Sequence, residues 1–434
     1  MGRAGHSKGH RMVSSRRRLQ QGLLVVLVVS GGLGVGWALL VVNQVLQAAV
    51  AETPAIFNQG LHRLETGAPP HWTNQWCGTC HKQAYAEWKT SLHFVAGTNE
   101  NFQAQCLNAG GGRQQWCFNC HAPTNPAATL MPLHEPRHLE RLFEQPPQWL
   151  TQGVGCLTCH VRDGQVLVEN VTDKAIAAHP VRRSPELGTA EFCAGCHQFN
   201  FKDGNLPDYL HGPFQQASLE EFLDFRHADG SETRCHDCHM PAGNHVMPGY
   251  DNKMLNRALK LELAARWDRD QAVVSVSVTA RDVGHKVPGG EFFRSLTLHT
   301  WLTDAGGQLL QEATSEPARP TEKPPPDTPI LSRPAGSEWP RIETFSRRSN
   351  SFAHDSTSLE NPLTDSRLRP DETRQFQYTL RPGAAPVRFP LQIHAELWYH
   401  VMHETEAEQF HFSPDAVKSI ICSEHLTVDR DAQR

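Results

Sequence analysis

The stretch "CGTCHKQAYAEWKTSLH", residues 77–93, decides how the chain is to be read. It opens with two cysteines three positions apart, Cys77 and Cys80, and a histidine, His81, directly after the second. It closes on another histidine, His93, twelve residues further on. The opening grammar returns as "CFNCH" (Cys117, Cys120, His121), "CLTCH" (Cys156, Cys159, His160), "CAGCH" (Cys193, Cys196, His197) and "CHDCH" (Cys235, Cys238, His239). Ten of the twelve cysteines are used in this way.

C-x-x-C-H is the attachment signature of c-type haem. The two thiols add to the porphyrin vinyl groups as thioethers, and the adjacent histidine reaches the iron as proximal ligand. A zinc site takes four ligands, usually two such pairs, so five pairs leave one over. Zinc also has no need of a histidine after every second cysteine. With 25 histidines in 434 residues, five such hits in five have a chance of roughly one in a million. A thioredoxin-like dithiol wants a single C-x-x-C in a βαβ setting, which is absent. Five covalently attached haem c groups are therefore expected, bound at these ten cysteines, with His81, His121, His160, His197 and His239 on the irons.

The motifs recur roughly every 40 residues, and chain units that short seldom build an apolar core unaided. Residues 73–255 are accordingly expected to form one pentahaem domain of short helices and loops, with the haems supplying much of its core. Tyr85, Trp88 and Leu92 fall at i, i+3 and i+7, which predicts an amphipathic helix running up to His93. On that helix His93 lies about 18 Å from His81. Axial nitrogens of one iron are only about 4 Å apart. As a ligand, His93 would therefore serve a different haem.

At these residues a resemblance enters. "CHKQAYAEWKTSLH", "GVGCLTCHVRDG", "EFCAGCHQF" and "RCHDCHMPAGNHVMPG" resemble successive segments of exported multihaem c-type cytochromes related to the tetrahaem cytochrome of ammonia-oxidising bacteria. The resemblance spans Trp76 to Trp301 and extends more loosely beyond. Many such proteins continue into a C-terminal β domain that opens with G-H-x-x-P-T-G. The resemblance implies distal ligands at His93 in "SLH", His179 in "AAHP", His245 in "GNHVMPG" and His285 in "VGHKVPGG". One iron is then left over, for which His134, His138, His211, Met131 or an open face are the alternatives. Two departures stand out. Gly289 replaces the threonine of the β-domain motif, implying a looser turn at His285, and no C-x-x-C-K occurs, the variant found in ammonia-forming nitrite reductases.

The N-terminus has its own pattern. Six basic residues and no acidic one precede the uncharged run "GLLVVLVVSGGLGVGWALLVV", residues 22–42. At 1.5 Å per residue, 21 residues make a helix of about 30 Å, the thickness of a bilayer's hydrocarbon core. Residues 1–51 are expected to be a cytoplasmic tail and membrane anchor, followed by a linker, 52–72, and a periplasmic body. The alternative is a signal peptide cleaved near "AVA", residues 49–51. The formal charge is −5, and setting aside the six positive charges of the tail leaves −11. That excludes a nucleic-acid partner, which would need a basic footprint.

From residue 256 the pattern changes to alternating apolar and polar residues with turn signals between the runs, which predicts a β-sandwich over 256–434. A proline-rich loop interrupts it near 317–340. His400 and His403 beside Glu404 read as a solvated strand end rather than a metal cluster. Cys106 and Cys422 are left over; an oxidising compartment allows a disulfide, but nothing in the sequence places them together. The fold class expected is thus α+β, with an anchor helix, a mostly helical or irregular multihaem domain and a β-sandwich. The expected function is electron transfer between the membrane's quinone-linked machinery and a periplasmic or outer-membrane partner, such as another cytochrome. The alternative is a multihaem oxidoreductase acting on a small nitrogen or sulfur compound at one open haem.

Overall fold

A computed structural model describes residues 66–108, 114–124, 151–199, 214–230, 232–291, 293–313, 343–349, 363–382, 388–402, 407–408 and 410–429. The basic tail, the apolar run 22–42 and the proline-rich segment lie outside these residues, as do His134, His138, His211, Met131, His403 and Glu404. Among the described residues no helix is long and apolar enough to cross a membrane. The described residues belong to one compact unit.

The first half is built from short helices, among them Asn74–Cys80, Lys82–Trp88, Glu100–Asn108, Gln114–His121, Cys156–His160, Ala190–His197, Ser218–Asp229, Cys235–His239 and Asn252–Ala258. Helices this short are marginal alone, so caps and packing hold them. Thr73, Thr172 and Thr189 each accept a backbone N–H of the first turn, from Trp76, Ala175 and Phe192.

The helix expected to run on to His93 ends instead at Trp88. Thr90 Oγ1 donates to Glu87 O (2.7 Å) and Ser91 Oγ to Trp88 O (2.7 Å). These hydroxyls take the last carbonyls that a continuing helix would need. Trp88 is buried, whereas Leu92 is 40% exposed.

This half also holds strands where helices and loops were expected. β1 (Val161–Arg162), β2 (Gln165–Val168) and β3 (Val181–Arg183) form a small sheet, and β4 (Gln198–Phe199) pairs with β5 (Gln216–Ala217). The hairpin between β1 and β2 turns on Asp163 and Gly164, both at positive φ. Asp-Gly is a strong two-residue hairpin signal. Leu167 of β2 packs with Leu187 and Phe192 into a small apolar cluster.

Among its described residues the second half is mostly strand, beginning at Leu259 directly after the helix Asn252–Ala258, with a 3-10 turn at Pro414–Ala416. One antiparallel sheet has the order β12–β7–β6, from Thr373–Leu380, Gln271–Ala280 and Leu259–Asp268. The other runs β11–β10–β8–β13–β14, from Leu363–Asp365, Glu343–Ser349, Ser295–Thr303, Leu391–His400 and Lys418–Val428, with β9 (Leu309–Glu312) on β8. Alternation is strict: Ala272, Val274, Val276, Val278 and Ala280 of β7, and Leu391, Ile393, Ala395 and Leu397 of β13, are all at 0% exposure. Side chains from both sheets join one core, which Leu255 and Ala258 of the preceding helix also enter. That core carries the main hydrophobic stabilisation among the described residues, at about 25 cal/mol per Å² of apolar surface removed from water.

Candidate haem sites

Each motif sits on a helix or at its end. Cysteines at i and i+3 and histidine at i+4 then share one helical face, which is what two thioethers and an iron ligand on one porphyrin require. The first and third motifs are tied through Asn74, whose Oδ1 accepts from Cys156 N (2.8 Å) while its Nδ2 donates to Gln152 Oε1 (2.6 Å).

Three of the five motif histidines face a histidine from elsewhere in the chain. His197 and His93 have ring centroids 6.1 Å apart, His160 and His245 6.3 Å, and His239 and His285 6.3 Å, the last pair within 11° of parallel. A metal–imidazole bond of about 2 Å on each side, plus about 1 Å from nitrogen to ring centre, gives a separation of about 6 Å. The three separations match that distance. His179 lies 6.4 Å from Trp72, and its Nδ1 is buried without a hydrogen-bond partner, as is Nδ1 of His245. His121 packs flat on Phe102, with centroids 3.9 Å apart.

Hydrogen bonds fix the tautomers. Nδ1 of His121 donates to Ala96 O (3.0 Å), that of His239 to Pro248 O (2.7 Å) and that of His285 to Lys286 O (2.9 Å). Nε2 is then left with its lone pair for a metal. His93 Nδ1 meets Met247 Sδ at 2.6 Å, and His197 Nδ1 meets the Gln216 amide at 3.1 Å. Burial lowers the pKa of His93, His121 and His197 to about 4 and pulls His160 and His239 down as well. All five are neutral at pH 7, as ligation demands.

The motif cysteines also approach one another. Cys77 lies beside Cys156, Cys120 beside Cys196, and Cys193 beside Cys235. Cys159 is pushed up to about 11, chiefly by burial, and also feels the charge of Cys196. Cys106 and Cys422 are not joined to each other by a disulfide. Cys106 is buried against Cys117, whereas Cys422 lies by Asn256 Oδ1 (3.9 Å) and Leu259 O (3.8 Å).

His285 stands on the turn between β7 and β8, and a charge cluster holds that turn to the first half. Glu221, on the helix Ser218–Asp229, accepts from Lys286 N (3.3 Å) and from the Arg367 guanidinium. Arg367 also bonds Asp365 (2.9 Å) and Pro288 O (3.2 Å), and Lys286 Nζ reaches Asp365 (2.8 Å). Gly289 is part of the fit rather than a loosening: a Cβ there would lie 2.8 Å from His285 Cε1. Sequence reasoning missed Met247, Gln216, Glu221 and Arg367. Only Met247 carried a local signal, two residues from His245 in "NHVMPG".

His400 is buried, bonded to Thr297 Oγ1 (2.8 Å), and is not the solvated strand end expected. Among the described residues no group of three or more His, Cys, Asp and Glu side chains is arranged to hold a metal ion.

Residues 76–161, which include the first three motifs, match the family described as Cytochrome c554 and c-prime. No curated protein matches the chain. Among solved structures the fold is similar to a penta-heme cytochrome c552 from Thermochromatium tepidum, at 19% identity and a TM-score of 0.61, covering 85% of this chain and 100% of that one. A sporulation control protein from Bacillus subtilis, Spo0M, aligns at a TM-score of only 0.13 with 10% identity, over 40% of this chain and 49% of its own, and carries no weight.

Proposed function

We propose that this multihaem c-type cytochrome carries five haems, one at each C-x-x-C-H, and serves as an electron relay. Haem iron supplies one-electron chemistry, and the protein sets its potential through axial ligation and surroundings. The observation that carries the reading is the continuity of the attachment points. Neighbouring cysteines link the first motif to the third, the second to the fourth, and the fourth to the fifth. Cys159 and Cys196 join the third to the fourth. An electron entering at any attachment point therefore has a neighbouring centre to pass to.

The three imidazole pairs favour transfer over substrate chemistry at their irons, since two nitrogens on an iron leave no face for a substrate. His93, His245 and His285 are the distal ligands in this reading, for the irons of His197, His160 and His239. His179, with its unpartnered Nδ1, is a fourth ligand candidate. Residues 1–51 anchor the protein in the inner membrane, with the remainder in the periplasm. Its partners are other cytochromes or a quinone-linked complex.

Haem quantitation with electron paramagnetic resonance tests the reading. Five haems per chain are expected, with the irons of His160, His197 and His239 low-spin and six-coordinate. A high-spin iron that binds nitrite or hydroxylamine would replace the relay with the oxidoreductase alternative.

A further inference from the structure

Directly behind the third motif sits Arg162, only 5% exposed. Its Nη1 donates to Thr158 O (2.8 Å) and Val161 O (2.7 Å), closing the C-terminal end of the helix Cys156–His160. Free carbonyls there favour a cation. Nε and Nη2 are also buried, and neither has a hydrogen-bond partner. The adjacent acid does not neutralise the charge, because the 78%-exposed Asp163 turns outward to Arg182 at 3.0 Å. Arg367 makes the contrast. It is buried to the same 5%, but it is held by Glu221 and Asp365.

A buried guanidinium with no acidic partner loses much of its hydration, and its bonds to Thr158 O and Val161 O leave Nε and Nη2 uncompensated. What it does face is the attachment chemistry. It holds the Thr158 carbonyl inside the third motif, and Cys159 packs on the cluster that includes Phe192 of the fourth motif's helix. Cys159 and Cys196, the second cysteines of those two motifs, both feel its charge. Reducing a ferric haem to ferrous adds one electron and hence one negative charge. In a low-dielectric interior a nearby fixed cation favours that added charge more strongly than it would in water.

We propose that Arg162 is a fixed positive charge that raises the reduction potentials of the two haems attached at Cys156/Cys159 and Cys193/Cys196. The inference rests on the haem-relay reading above. A porphyrin carboxylate closing on Nε and Nη2 leaves the sign unchanged, since removing the cation then strands the carboxylate.

The test is an optically monitored redox titration of the purified holoprotein, using dithionite and ferricyanide with mediators. It compares the wild type with Arg162→Gln, Arg162→Met and Arg162→Lys. The two neutral variants differ in shape, so a maturation defect in one leaves the other to decide. Two haem components should move to lower potential in the neutral variants while the others stay, and Arg162→Lys should stay near the wild type. Unmoved potentials in a neutral variant with its full haem complement would overturn the proposal. So would a shift in Arg162→Lys as large as in Arg162→Gln, because geometry rather than charge would then be the cause. A wild-type chain without covalent haem would instead overturn the relay reading itself.

Discussion

The rings of His239 and His285 lie 6.3 Å apart and within 11° of parallel, although 46 residues separate them in the chain. His239 ends a motif helix of the first half, and His285 projects from a turn between two strands of the second. An iron between them would make one metal bond span both halves.

Replacing His285 by Ala should therefore convert one iron from low-spin to high-spin and leave the others as they are. Electron paramagnetic resonance reads the change, and added imidazole should reverse it. An unaltered low-spin count would remove His285 from the ligand set.

The charge cluster under that turn should matter as much as the ring. Arg367→Ala leaves Glu221 buried beside a lost partner, an effect of about 3–5 kcal/mol on urea-induced unfolding. Glu221→Ala frees Lys286 N and should raise the high-spin fraction of the same iron that His285→Ala affects. Replacing Glu221 and Arg367 together by Leu and Met should cost less stability than Arg367→Ala alone, since no lone charge remains.

Gly289 gives a sharper steric test. An added Cβ would meet His285 Cε1 at 2.8 Å, and a ring held by a metal cannot swing away. Gly289→Val should reproduce the absorption change of His285→Ala.

Acid stability should carry the mark of Asp365. Burial alone would raise its pKa, but its bonds to Arg367 and Lys286 outweigh that and hold the carboxyl well below the usual range. A depressed carboxylate stabilises the fold fully above its unfolded pKa of about 3.9 and loses that contribution as pH falls through the native value. Denaturation midpoints of the wild type and Asp365→Asn should therefore differ most at pH 7 and begin to converge only as pH falls below about 4.

Much of this was open to reading from single segments. Alternation in "AVVSVSV" placed alternate β7 residues inside, because strand periodicity needs only neighbours two apart. The same local logic failed at "AYAEWKTSLH", where the apolar spacing pointed to one helix and the Thr90 and Ser91 hydroxyls end it. Asp163-Gly164 was a hairpin signal hidden inside a segment dominated by its cysteines.

The sequence by itself determined the five places where haem attachment is proposed, since both cysteines and the proximal histidine lie within five consecutive residues. It also determined that the second half is strand, through period-two burial. Only the tertiary structure decided which histidine faces which: His93 turns to His197, His245 to His160 and His285 to His239. It alone revealed that Glu221 and Arg367 hold the last of these rings and that Arg162 is buried unpaired. Those relations depend on residues tens to hundreds of positions apart, brought together by packing that no short window of sequence encodes.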